Sequence, residues 1–210
     1  MYRNPLDLFR LFLSLFQDLP PLSRTLYVPG AILLLGYPVL TVLLGQTDDG
    51  QAFVTAFMAA LAVRIALGFE GMVRRMLTKY SAAQAALLAI GFAAVPLLVL
   101  SFAADSVWCQ RMQSAFYLVI GAIFLSDAVK NRVATAASFW PDAEMRQHLP
   151  NLTRAMVVYN FAFLLLNETL IHTVAASNWL LFWAVLPILA HTVLRALVLT
   201  VVNLDEGHPV

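Results

Sequence analysis

The 210-residue chain is 61% apolar and only 12% charged, with a mean hydropathy of +0.79. Soluble domains carry roughly 25% charged residues, so this composition describes a membrane chain. A net charge of +1 without any basic stripe excludes nucleic acid as a partner, and the lone Cys109 excludes an internal disulfide and argues against a cysteine-based metal or redox centre.

At the N-terminus, Asn4-Pro5-Leu6-Asp7 has the form of a helix start: an N-cap, a proline at the first helical position and an acidic first turn. Behind it Arg3, Asp7, Arg10, Ser14, Gln17 and Asp18 form a polar line against a continuous apolar face, ended by Pro20-Pro21. Such a segment, residues 1–24, is expected to lie in the membrane interface, with docking against protein as the alternative. Asp7, Arg10 and Asp18 interrupt the opening apolar run and no small-residue cleavage site follows, so no cleavable signal peptide is expected.

Six apolar stretches then approach the roughly 20 residues a bilayer requires: about Leu26–Gly45, Ala52–Glu70, Ala83–Ala104, Ser114–Asp127, Thr153–Ala175 and Trp179–Val202. The predicted fold is therefore all-α: a polytopic membrane helix bundle over residues 25–204, preceded by the amphipathic interfacial helix and followed by a short tail, 205–210. Pro29, Pro38 and Pro96 predict kinks, and Ala82, Ala86, Ala89 and Ala93 give the small-residue spacing of a close helix contact. Arg3, Arg10 and Arg24, then Arg74, Arg75 and Lys79, then Lys130, Arg132, Arg146 and Arg154 all fall on one side of such a topology. The opposite loops, including Asp105–Gln113, carry little beyond Arg111, so both termini are expected in the cytoplasm and Cys109 on the far side. Between the fourth and fifth spans, Phe139-Trp140 and the amphipathic run from Pro141 predict a short interfacial helix, and His148 with Asp142 and Glu144 reads as a solvated charged turn.

The most informative stretch is Leu152–Trp179. Asn160, Asn167, Glu168 and His172 stand at i, i+7, i+8 and i+12 within it, gathered on one broad helical face that lipid cannot satisfy. A second group is defined by depth: Arg64, Asp127, Asn160, His191 and Arg195 fall at a similar level of their spans at 1.5 Å per residue. Two readings follow for this inner polar layer. One is a cavity open to the cytoplasm that passes a solute or proton; the simpler is an Asp127 ion pair with Arg64 or Arg195 and an arginine that snorkels to the headgroups. Glu168 has no cation on its own level except His172, and it reads either as a titrating carboxylate or as a hydrogen-bonding contact to a partner helix. No catalytic constellation, phosphate loop, metal-spaced histidine cluster or cofactor motif is present in the sequence, so no enzymatic activity and no cofactor or metal are expected.

The run Leu152-Thr153-Arg154, then Phe161–Glu168 (FAFLLLNE), then Ser177-Asn178-Trp179, Leu180-Leu181-Phe182 and Pro187 resembles the last third of the intracellular-septation protein A family, a group of small bacterial inner-membrane proteins. Asn167, Glu168, Ser177, Trp179 and Phe182 keep the family spacing, and Tyr117, Gly121 and Lys130 fall where the family has its preceding span and a lysine. The resemblance implies a multi-pass protein of the bacterial inner membrane with a non-enzymatic role in envelope integrity and septation. Its implied partners are other inner-membrane proteins as well as the lipid bilayer. Two alternatives stay open beside it: a small proton-coupled transporter using Glu168 and the inner polar layer, and an accessory or assembly subunit of a larger membrane complex.

Overall fold

The computed structural model describes residues 27–44, 49–77, 81–103 and 105–205. Among these the chain is all-helical: α1 (Val28–Leu43), α2 (Asp49–Leu77), α3 (Ala82–Ala103), α4 (Ser106–Val129), α5 (Ala134–Phe139), a 3-10 turn (Ala143–His148), α6 (Leu149–Thr173) and α7 (Ala176–Asp205). The expected interfacial helix at 1–24 lies outside the described residues. Five stretches are long and apolar enough to cross a bilayer: 50–71, 82–99, 106–129, 143–173 and 176–202. The first of the six expected spans appears as α1, an apolar helix of 16 residues.

The largest departure from the sequence reading is α4. Its apolar part alone, Ser114–Asp127, is too short to span, and Asp105–Gln113 was expected as a loop. The helix instead begins at Ser106 and runs for 24 residues. Hydropathy misses its first two turns because Gln110, Arg111, Gln113 and Ser114 are polar, yet three of these four are buried. Buried polar side chains that bond across to neighbouring helices are consistent with a membrane helix, and a hydropathy sum cannot distinguish them from loop residues.

Between α4 and α6 a short helix does follow Pro141, of 3-10 type at Ala143–His148. Residues 134–139 form the short α5, and His148 is buried rather than solvated. In α3 Ala89 is buried and Ala93 half-buried as the expected spacing requires, while Ala82 and Ala86 are exposed and Ala85 is buried in place of Ala86.

The described chain divides into two compact units. In one, comprising residues up to Val119 together with Phe161–Val185, α1 packs on α2 and α2 on α3. Its core gathers Leu33, Phe53, Ala56, Phe57 and Ala60 with Cys109, Trp179, Leu180 and Trp183. Phe57 lies 6.0 Å from Trp179 and 5.3 Å from Trp183 between ring centroids, distances at which aromatic pairs add to the burial of their surface. Close approach of α7 to α1 requires Gly30, since a Cβ there would meet the Ala184 carbonyl oxygen at 3.0 Å and its Cα at 3.1 Å. The other unit, Ile120–Asn160 with the chain from Leu186, buries Phe124, Ala136, Leu149, Leu152, Met156 and Tyr159. Tyr159 there donates its hydroxyl to the Ala190 carbonyl at 2.8 Å, tying α6 to α7.

Candidate functional site

The site is assembled on α4, α6 and the first turns of α7. Gln110, Gln113, Ser114 and Tyr117 recur at three- and four-residue intervals on α4 and so share one face, and all four are buried. That face meets α6: Tyr117 stacks on Phe163 at 5.4 Å between centroids. One turn further along α6, Asn167 meets Gln110 and Ser114. A two-residue connection, 174–175, then reverses the chain into α7 and brings Trp179 back against the same asparagine.

Asn167 is fully buried and uses its entire amide. Its Nδ2 donates to the Gln110 carbonyl at 3.0 Å and to Ser114 Oγ at 2.8 Å, while its Oδ1 accepts from Trp179 Nε1 at 2.9 Å. An asparagine amide offers two N–H donors and one carbonyl acceptor, so the group is satisfied in every direction and joins three helices at one level. The sequence places Asn167 inward correctly; it gives Trp179 an interfacial and packing role, whereas the indole is a buried hydrogen-bond donor.

Glu168 turns toward the edge of this assembly. Its Oε2 lies 3.9 Å from Arg111 Nε and 3.9 Å from His172 Nε2, with about a third of the side chain exposed. The expectation that His172 is its single cationic neighbour is therefore corrected. Arg111 was assigned to a loop, and once α4 starts at Ser106 it stands beside Gln110 and reaches Glu168. At 3.9 Å neither contact has hydrogen-bond geometry; Arg111 and Glu168 form an ion pair, and a partly exposed pair of this kind contributes at most about 1 kcal/mol. His172 itself is largely exposed.

The expectation that Asn160, Asn167, Glu168 and His172 face inward together holds for the two asparagines alone. Twelve residues at 3.6 per turn leave His172 a third of a turn away from Asn160, enough to carry it out of the buried stripe. Asn160 is buried but donates to the Met156 carbonyl of its own helix at 2.7 Å.

The inner polar layer also resolves into separate local arrangements. Asp127 accepts a hydrogen bond from the backbone N–H of Thr135 at 2.8 Å, closing the turn between α4 and α5 in which Asn131 adopts a left-handed φ of 51°. Among the described residues of its own unit it forms no ion pair, so the expected pairing with Arg195 is replaced by a turn-closing role; Arg64 belongs to the other unit. His191 and Arg195 are half-buried, one turn apart on α7.

Arg64 of α2 belongs with the α4 face. Its Nη1 approaches Gln113 Oε1 at 3.4 Å and its guanidinium stands 5.5 Å over the Trp183 ring. Two buried donors in this group, Gln113 Nε2 and Trp183 Nε1, have no hydrogen-bond partner.

No family model, no curated protein and no solved structure matches this chain.

Chemically, the Asn167 cluster is a cohesive device, because a side chain with every donor and acceptor engaged has nothing left to offer a ligand. Arg111, Glu168 and His172 form the accessible charged edge. Sequence reasoning missed Gln110, Arg111, Gln113 and Ser114 together, and for one reason. Their common signal is a three- and four-residue polar periodicity that runs from the expected loop Asp105–Gln113 into Ser114, the first residue of the expected fourth span.

Proposed function

We propose that the chain is a non-enzymatic, multi-pass protein of the bacterial inner membrane, of septation-A type, that acts through lateral contacts with other membrane proteins of the cell envelope. One observation carries this reading: Asn167 and Trp179, two of the residues on which the resemblance rests, are hydrogen-bonded to each other in the core. A motif engaged in holding helices together serves a structural protein, and contacts are then made by what lies outside it. The partly exposed Glu168 beside Arg111 and His172 is the polar element available for such contacts. The distribution of arginine and lysine supports cytoplasmic termini.

The test is complementation of the envelope or division defect of a deletion strain, with abundance checked by blotting. Glu168→Gln retains most hydrogen-bonding capacity in nearly the same shape and is expected to complement, whereas Glu168→Leu is expected to fail while still inserting. A proton-coupled carrier makes the opposite demand, since glutamine cannot titrate; an inactive Glu168→Gln protein at normal abundance replaces the contact reading with transport. Affinity purification in mild detergent then separates a freely acting contact protein from a stoichiometric subunit of one larger complex.

A further inference from the structure

The group formed by Arg64, Gln113 and Trp183 is unbalanced. Arg64 lies within the apolar stretch Gly50–Gly71 of α2, seven residues or about 10 Å from its end at 1.5 Å per residue. A guanidinium carries five N–H donors and a full charge. The structure gives it one acceptor, Gln113 Oε1, at 3.4 Å, the outer limit of a hydrogen bond. No carboxylate among the described residues lies within ion-pair distance. The second contact, the face of Trp183 at 5.5 Å, stabilises a cation but accepts no conventional hydrogen bond.

Around this cation two further donors stand idle. Gln113 Nε2 is one amide width from the oxygen that Arg64 approaches, and Trp183 Nε1 belongs to the ring that the guanidinium covers. Both atoms are buried and unpartnered, on residues that are 6% and 1% exposed. A buried donor without a partner costs roughly 1–3 kcal/mol, and two of them beside an uncompensated cation describe a place built for negative charge. Asn167 of α6, whose acceptors Gln110 and Ser114 stand beside Gln113 on α4, shows the contrast: there both N–H donors are matched.

We propose that Arg64, Gln113 Nε2 and Trp183 Nε1 form a binding site for a phosphate-class oxyanion. A carboxylate satisfies a guanidinium through two oxygens in one plane. A guanidinium, an amide and an indole together offer more donors than the two oxygens of a carboxylate take up in one plane, and the additional oxygens of a tetrahedral group supply acceptors for them. Arg64 is partly exposed, so the anion enters on its side, takes the guanidinium away from the long Gln113 contact, and the Gln113 and Trp183 side chains shift to bring their buried N–H groups to it. The same chemistry comes from two sources, the headgroup phosphate of an anionic lipid or a free phosphate solute, and Arg64 is near enough to the end of its span for either.

The test uses the full-length protein purified in a neutral detergent, read by thermal unfolding and by native mass spectrometry. The probes are dioleoyl phosphatidylglycerol, dioleoyl phosphatidylcholine and inorganic phosphate. The expected result is a rise of several degrees in Tm with one anionic probe at sub-millimolar concentration, lost in Arg64→Gln. Trp183→Phe keeps the aromatic face and removes only the N–H. It is expected to weaken binding at least threefold while leaving the unliganded Tm equal or higher, and it remains informative if Arg64→Gln fails to fold. Stabilisation by phosphatidylglycerol alone identifies a lipid headgroup; stabilisation by inorganic phosphate identifies a soluble ligand. The proposal is overturned if neither anion raises Tm, if phosphatidylcholine does so equally, or if Trp183→Phe responds as the wild type does.

Discussion

Replacing Asn167 by leucine tests the energetic centre of the protein. The two side chains are similar in volume, so the loss is chiefly of hydrogen bonds: two donated to the Gln110 carbonyl and Ser114 Oγ, and one accepted from Trp179 Nε1. Side-chain hydrogen bonds between membrane helices average about 0.6 kcal/mol each and reach about 1.7, which gives roughly 2 kcal/mol for three. The orphaned indole N–H raises this, because Trp179 is fully buried and an unmatched buried donor costs about 1–3 kcal/mol. Asn167→Leu is therefore expected to lower stability by about 3 kcal/mol. Trp179→Phe, which removes one bond and leaves the Asn167 Oδ1 acceptor without its indole donor, is expected to cost about 1 kcal/mol beyond the change in ring size. In the double variant the indole donor no longer exists to be orphaned, so the two losses are less than additive by about 1 kcal/mol or more. The assay is reversible unfolding by SDS titration in mixed micelles, followed by near-UV circular dichroism. Additivity within about 0.3 kcal/mol, or a cost below about 1 kcal/mol for Asn167→Leu, refutes the three-helix junction as a stabilising unit.

Further outcomes follow from other contacts. Gly30→Ala places a methyl group against the Ala184 backbone at 3.0–3.2 Å and is expected to destabilise by about 1–3 kcal/mol through overpacking, whereas Gly36→Ala, whose nearest neighbour is a methyl at 4.0 Å, is expected to be tolerated; melting temperatures of the pair in one detergent decide this. Asp127→Ala removes the acceptor for the Thr135 N–H and is expected to cost about 1 kcal/mol, while Asp127→Asn keeps an acceptor oxygen and restores most of it. An equal loss in both would instead assign the effect to the charge. Cys109 was expected on an accessible loop; it is buried among Phe53, Phe57 and Trp179, so maleimide should label it only after denaturation. The topology experiment therefore needs a cysteine introduced at the exposed Asp105 in a Cys109→Ala background, with labelling of intact spheroplasts expected if the termini are cytoplasmic.

Helices α2, α3, α6 and α7 were legible because their apolar runs exceed what a bilayer needs, and length is the property that hydropathy measures best. Helix α4 was half legible. Gln110, Arg111, Gln113 and Ser114 lower the hydropathy of a segment whose polar groups meet Arg64 of α2 and Asn167 and Glu168 of α6, and those partners lie 49 to 57 residues away in the chain. The same blindness explains the site. Asn167 could be placed inward from its position in an apolar run, but its three partners could not be chosen from sequence. Glu168 was assigned too few neighbours because Arg111 had been placed outside the membrane. Asp127 was misread in the opposite sense. Depth alone suggested a charged layer, yet a carboxylate near a helix end is equally able to close a turn, and the backbone N–H eight residues on is a nearer partner than a side chain on another helix.

The order in which Asn167 meets its partners bears on how the protein is made. Gln110 and Ser114 leave the ribosome 57 and 53 residues before Asn167, whereas Trp179 follows it by 12. At synthesis rates of about 5–20 residues per second, that interval is on the order of one second. During it α6 holds an asparagine whose donors have acceptors waiting on α4 and whose carbonyl does not. Biogenesis thus has a checkpoint written into one side chain: α6 can dock on α4 as soon as it enters the bilayer, but the junction locks only with the arrival of the last helix, and a chain truncated before Trp179 presents quality-control proteases with an open polar seam.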